Sequence, residues 1–451
     1  MINRTTVNNI PIIEIDNFLT PEECDQLLID RIPKFKTANT HYPKYYRNNN
    51  RLEDDNSEIA SDLFSKVSSL GLDELNDAKR LNDKLRFCEY NEGQMFSKHQ
   101  DGVYFPNDTE ASTHTFLLYL NGESDFKGGE TQFFDSKLNN EVVHQINPNK
   151  GKLVIFEHEV WHKGNEVSSG SKYILRSDFI VNKKTVNHHK GYIWSLAPLE
   201  NITFLSGGRD AIIKHWNKDL KLLNSIKIHN KSIINITPVK NQEFVSSSRD
   251  MTIKKWNLSG EIINSISVES MVLSIVIAND QIITGNAIGE IIIYTKKLKK
   301  IKAFKVHSKW IWEIIIIDEL LFSVSDDGTL VKTTLDGDSE VLINNDVGLF
   351  SIATDGKTVF LGSKSGEILS YSIKDESLTF EKIHKDIVRK ILINNGSLFS
   401  ASEDMSICKN GNIVSTHKNF VQDISIIGNH ILSAGFDGVL LKTDLESFTC
   451  Y

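Results

Sequence analysis

A chain of 451 residues with 40% hydrophobic content has room for two globular domains, each with its own core. Its net charge of −8 argues against general nucleic-acid binding, which needs a basic face. No apolar stretch approaches membrane-spanning length, and the first residues lack the basic segment and apolar run of a secretory leader. Cys24, Cys88, Cys408 and Cys450 show no paired spacing, which points to a reducing, cytoplasmic setting.

In chain order, Thr20 and Glu23 form a capping box with Pro21 at the first helical position. Cys24, Leu27, Leu28 and Ile32 then fall on one helical face. Asn39 to Arg51 is polar and aromatic, with Tyr42, Tyr45 and Tyr46, and reads equally as a lid or as a solvated connector. A second helix opens at Ser57, turns Ile59, Leu63, Val67 and Leu70 inward, and stops at Gly71. Short strands follow at Arg86–Tyr90, Thr115–Leu120, Lys152–Phe156 and Lys172–Val181, broken by turn residues such as Asn91–Gln94 and Asn121-Gly122. That rhythm predicts an antiparallel barrel or jelly roll.

Within it lie His99-Gln100-Asp101 and, further on, His162. Two imidazoles and a carboxylate are the facial triad that holds non-haem Fe(II) and leaves positions open for substrate and O₂. Residues two apart in extended chain project from one face, so His99 and Asp101 can grip one ion. An H-x-D pair by itself is a weak signal, and only its strand context lifts it above a solvated loop pair. Lys172 and Arg176 share a strand face, and either cation can hold the far carboxylate of an oxo-acid; arginine would do so bidentately. Tyr90 and Tyr119 are candidates to donate hydrogen bonds to the same carboxylate, or are core aromatics with a hydroxyl at the edge. His158, His114 and His144 read as supporting or surface histidines.

The words carrying a wider resemblance are Asp16 to Cys24, Tyr46 to Arg51, His99-Gln100-Asp101-Gly102, Tyr119-Leu120-Asn121, Gly128-Gly129-Glu130-Thr131 and His162-Lys163-Gly164 through Val167, Gly170 and Lys172. On these, residues 10–181 resemble the prolyl 4-hydroxylase-type branch of the Fe(II)/2-oxoglutarate dioxygenases. The resemblance implies a distorted double-stranded β-helix and Fe(II) on His99, Asp101 and His162. It also implies 2-oxoglutarate and O₂ as co-substrates, with ascorbate as an accessory, and oxidation of a substrate C–H bond. By the same resemblance a cation about ten residues after the distal histidine, here Lys172, anchors 2-oxoglutarate, with Arg176 as second choice or helper.

After a short polar linker at 182–187, residues 188–451 repeat with a period of about 40, the sign of a propeller or solenoid. Units start near residues 188, 228, 268, 307, 346, 384 and 417. His189, His229, His307, His384 and His417 recur, and Asp210, Asp250, Asp327, Asp404 and Asp437 recur at a turn. Trp216 and Trp256, and Tyr294 and Tyr371, end the third strand of their repeats. These resemble WD repeats and predict a degenerate seven-bladed β-propeller, with the His and Asp pinning each blade rather than doing chemistry. The third and fifth repeats lack both residues, and the sixth is short of most of its third strand. Lys296, Lys297, Lys299 and Lys300 read as a solvated hairpin.

The chain is thus expected to be mainly β, with residues 1–181 as a dioxygenase domain and residues 188–451 as the propeller. Its expected activity is hydroxylation of a protein or peptide recruited by the propeller, at proline before other residues. The alternatives are a hydroxylase of a small molecule, free amino acid or nucleobase, and a non-catalytic scaffold sensing oxygen or iron.

Overall fold

The computed structural model describes residues 1–37, 48–107, 109–136, 139–182, 188–240 and 242–445. It divides into two compact units, Met1–Thr185 and Val186–Tyr451. Tyr42, Tyr45 and Tyr46, most of the linker, and an outer strand expected at Ser447 to Tyr451 lie outside the described residues.

The first unit is built on a ten-stranded sheet and a four-stranded one. Strands of the large sheet alternate between two buried surfaces, as period-two geometry demands. Leu85, Phe87, Phe116, Leu118, Leu153 and Leu175 face a core shared with the helices. Their neighbours Cys88, Tyr90, Leu117, Tyr119, Val154 and Ile174 face a second core that includes Phe133 of the small sheet. A sheet apolar on both faces explains why these strands read as continuous apolar runs. The small sheet runs His144–Ile146, Thr131–Phe134, Trp161–Gly164, Phe96–His99.

The helix Pro21–Leu28 starts on the predicted capping box, with both reciprocal hydrogen bonds made. It ends before Ile32, which enters a separate 3₁₀ turn and is 45% exposed, so the expected fourth core position fails. The helix Ser57–Ser68, capped by Asn56, buries Ala60, Leu63 and Val67 and packs Ile59 against them. Leu70 lies past its last turn and is exposed, so that expectation also fails.

The second unit holds six four-stranded antiparallel sheets and a seventh with three described strands, each strand pairing the next in sequence. The innermost strands follow one another around a ring, and the first, Ile193–Leu199, meets the last, Val421–Ile427. This is a propeller. In the sixth sheet the third strand is present but cut to Ser406–Lys409, correcting the expectation that most of it is missing. The five recurrent His–Asp pairs form at 2.9–3.4 Å. The other ring nitrogen of each histidine meets a serine four residues before the paired aspartate: Ser206, Ser246, Ser323, Ser400 or Ser433. Trp216 and Trp256 donate Nε1–H to Ser206 and Ser246 at 2.7 and 3.0 Å. Every member is satisfied, which is the condition for a buried polar network to stabilise rather than weaken a core.

Each inner strand is bulged after its first residue, and a bulge frees a backbone N–H from the ladder. The side chain following the bulge in one sheet often accepts an amide of the next. Ser195 takes Ile236 N–H at 3.1 Å, Ser274 takes Ile314 at 3.0 Å and Glu313 takes Ile352 at 3.0 Å. Asp423 of the seventh sheet takes Leu196 N–H of the first at 2.7 Å, which closes the ring. Lys390 of the sixth sheet pairs with Glu313 of the fourth, two sheets away. Among the described residues no helix is long and apolar enough to cross a membrane.

Candidate metal centre and co-substrate pocket

His99 ends the strand Phe96–His99 and lies directly opposite His162 on the strand Trp161–Gly164. Asp101 follows two residues later, its backbone N–H held by His158 O at 3.1 Å. The ligand atoms of His99, Asp101 and His162 all lie within 4.8 Å of one another, and all three residues are buried. The Asp101 oxygens are 3.6 Å from His99 Nε2 and 3.7 Å from His162 Nε2.

Both imidazoles are fixed by the nitrogen that does not face the centre. His99 Nδ1 meets Ser97 O at 2.7 Å and His162 Nδ1 meets Val160 O at 2.9 Å. A carbonyl only accepts, so each Nδ1 carries the proton and each Nε2 turns a lone pair inward. Phe96 stacks on the His99 ring at 3.5 Å and Phe156 meets the His162 ring edge-on at 4.7 Å. Burial pushes His99 down, and burial with the neighbouring His99 brings His162 to about 3, so both rings are neutral near pH 7. Burial by itself would raise the Asp101 carboxyl, but the Arg176 guanidinium beside it holds it well below the usual carboxylate range. Two neutral imidazoles and an ionised carboxylate are the protonation states that a divalent ion needs, so the residues fit Fe(II).

The strand Val167–Asn182 carries both candidate cations, and the fold gives them different partners. Arg176 Nη2 sits 2.5 Å from Asp101 Oδ1 and 3.9 Å from Asp178, which Arg86 also holds at 2.7 Å. The expected competitor for the co-substrate is therefore engaged with the triad carboxylate. Lys172 is 3% exposed and its Nζ donates to Gly129 O at 2.5 Å. The rings of Tyr90 and Tyr119 flank that ammonium at 5.5 and 5.3 Å. Among the described residues no carboxylate lies in ion-pair range of Lys172, and burial lowers it to about 8. An ammonium has three donors. One is used here, and the rest fit a carboxylate arriving from outside.

The glycine pair explains itself at this point. Gly129 has φ +71°, and a Cβ there would meet Lys172 Cδ at 3.0 Å and Phe126 and Val167 at 3.2 Å. Two residues on, Thr131 Oγ1 is 2.6 Å from Tyr119 Oη, which fixes that phenol beside Lys172.

Sequence reasoning missed how Asp101 is oriented. Thr115 donates Oγ1–H to Asp101 Oδ2 at 2.5 Å and meets His158 Nδ1 at 3.1 Å; His158 Nε2 meets Ser112 Oγ at 2.8 Å. The direction is fixed by the carboxylate, which accepts only: Ser112 donates to His158, His158 to Thr115, and Thr115 to Asp101. His158 is buried, not exposed, and its lowered basicity follows from that burial. The available signal was Thr115, a polar residue heading the apolar run Phe116–Leu120. His114 lies against Thr113 and His144 pairs with Glu14 at 3.0 Å; neither joins the centre. Thr115→Val keeps the shape and removes the hydroxyl, so Co(II) affinity should fall about 10–100-fold, read from the metal's absorption in a titration. An unchanged affinity would show that the Ser112–His158–Thr115 chain does not support the site.

Comparison with known proteins agrees with this geometry. Residues 85–177 match the 2OG-Fe(II) oxygenase superfamily, and residues 181–217 match the WD domain, G-beta repeat. No curated protein matches the chain. Among solved structures it is similar to the computationally designed Ika8 protein, at 19% identity over 57% of this chain and 85% of that one, with a TM-score of 0.47. Residues 85–177 therefore form a 2OG-Fe(II) oxygenase domain with a His-Asp-His triad, and the chain continues into WD-type four-stranded sheets.

Proposed function

We propose that this protein hydroxylates a C–H bond of a protein or peptide, at a prolyl residue in the first instance, and that the propeller recruits that substrate. The observation that carries the chemistry is a buried Lys172 with spare donors in the core that also lines the triad. Held by His99, Asp101 and His162, Fe(II) would supply O₂ activation coupled to 2-oxoglutarate decarboxylation, with ascorbate as the reductant that would keep it ferrous. The chain's own residues do the rest. His99 and His162 present fixed lone pairs, Arg176 and Thr115 hold the Asp101 carboxylate, and Lys172 with Tyr119 receives the co-substrate carboxylate. Phe133, Phe156 and Val160 are buried around His162 and limit water there.

A protein substrate is supported by the second unit. Its recurrent His, Asp and Ser side chains are used on one another, which leaves binding as its role. The free buried thiols Cys24 and Cys408 fit a cytoplasmic location. The test incubates the protein with Fe(II), 2-oxoglutarate and a host lysate, then maps added oxygen by mass spectrometry while following succinate. The expected product is a prolyl residue one oxygen heavier in a small set of proteins. Oxygen found only on free amino acids or nucleobases would remove the protein-substrate reading and keep the oxygenase. Absence of succinate would remove both.

A further inference from the structure

The bulged residue of each inner strand lines one cavity of about 510 Å³ in the middle of the propeller ring, Trp194, Trp312, Phe350, Arg389 and Gln422 among them. Two aromatic clusters extend from this lining, one through Trp194 and one through Trp312 and Phe350. Tyr192, Trp194, Phe420 and Phe436 belong to the first and seventh sheets and pack at 4.9–6.1 Å. Trp310, Trp312 and Phe350 belong to the fourth and fifth sheets and pack at 5.2 and 4.8 Å. In a ring of seven sheets these pairs lie on opposite sides.

Guanidinium groups already cover the ring faces. Arg209 lies 5.5 Å from the Tyr192 ring, Arg249 lies 5.7 Å from Trp194, and Arg389 lies 5.0 Å from Trp312 and 4.9 Å from Phe350. Arg389 is paired with Glu403, at 2.7 Å through Nε, whereas Arg209 and Arg249 have no carboxylate partner among the described residues. The polar atoms buried here without a partner are mostly donors: Trp194 Nε1, Trp312 Nε1, Arg249 Nε and Arg389 Nη1, against one acceptor, Gln422 Oε1.

That inventory selects a ligand. A cationic side chain finds its aromatic faces occupied by arginine and is repelled. The carboxylates that line the cavity are already engaged, Glu313 by Lys390 and Asp423 by the Leu196 amide, so the spare N–H donors and the guanidiniums of Arg209 and Arg249 are left to take acceptors and negative charge. Facing aromatic clusters accept a flat backbone and apolar side chains. We propose that this mouth binds an extended acidic peptide, with carboxylates on Arg209 and Arg249 and carbonyl oxygens on Arg389 Nη1 and the Trp194 and Trp312 N–H groups. The peptide need not be the hydroxylated one, so the inference stands apart from the catalytic reading.

The test uses the full chain and fluorescence anisotropy. Its probes are a fluorescein-labelled peptide alternating glutamate and leucine, the lysine–leucine counterpart, and a single-stranded oligouridylate. The glutamate peptide should bind and the other two should not. Arg209→Gln with Arg249→Gln orphans no carboxylate and so keeps the fold, checked by circular dichroism; it should weaken binding tenfold or more, about the loss of one charge-assisted hydrogen bond. Lys297→Gln with Lys299→Gln, on the basic hairpin, should leave binding unchanged. The proposal is overturned if the lysine peptide or the oligouridylate binds as well, if the glutamate peptide does not bind, or if the hairpin pair matters and the arginine pair does not.

Discussion

Replacing His162 with alanine should stop 2-oxoglutarate turnover, with succinate release down by about three orders of magnitude, the scale of several kcal/mol of lost metal chemistry. His162 is the ligand to remove because its loss strands no charge: Asp101 keeps Arg176 at 2.5 Å and Thr115 at 2.5 Å. Asp101→Ala would be a poorer experiment. It leaves the buried Arg176 with only Asp178, at 3.9 Å, and an uncompensated buried charge of this kind costs about 3–5 kcal/mol of stability. Loss of activity there would mix chemistry with unfolding. His162→Ala should melt cooperatively while failing to retain Co(II). Undiminished succinate release by that variant would remove the triad assignment.

The second large effect concerns Lys172. Lys172→Met should raise the KM for 2-oxoglutarate about 10–100-fold, the weight of a charge-assisted hydrogen bond, with a smaller change in kcat. The wild-type protein should also show a pH signature with two opposite signs. Burial has lowered Lys172 to about 8, so the cation is lost as pH rises through that value, and KM should climb above it. Without co-substrate the stability trend reverses. Between about 8 and the ordinary lysine range the unfolded chain holds a proton that the folded chain has shed, so this residue's contribution grows with pH. Lys172→Met should abolish both trends. A flat KM profile in the wild type, or a melting temperature that rises with pH as much in the variant, would show that Lys172 is not the anchor.

The triad was legible because His99 and Asp101 sit within a strand-and-turn rhythm, and because His162 is followed by Gly164, Val167 and Lys172 at matching spacing. The repeats were legible because five of the seven blades reuse the same His, Ser and Asp. The division of labour between Lys172 and Arg176 was not. Both share a strand face, and only the register that sets Asp178 opposite Thr115 and Lys172 opposite Tyr90 shows which cation reaches which group. The sequence could not choose between a supporting and a surface His158 for the same reason, since the partners that make it supporting, Thr115 and Ser112, lie on a strand far away in sequence. Ile32 and Leu70 kept the apolar period past the point where the backbone left the helix, a boundary that periodicity alone does not mark. The Arg–aromatic mouth was invisible because its members come one or two per repeat and meet only when the ring forms.

The contact of Asp423 with the Leu196 amide has an architectural corollary. It joins residues from the two ends of the ring, so the final sheet acts as a keystone for the first. Shortening the chain within its last sheet would deprive the opening strand of a neighbour and strip the Leu196 amide of its acceptor.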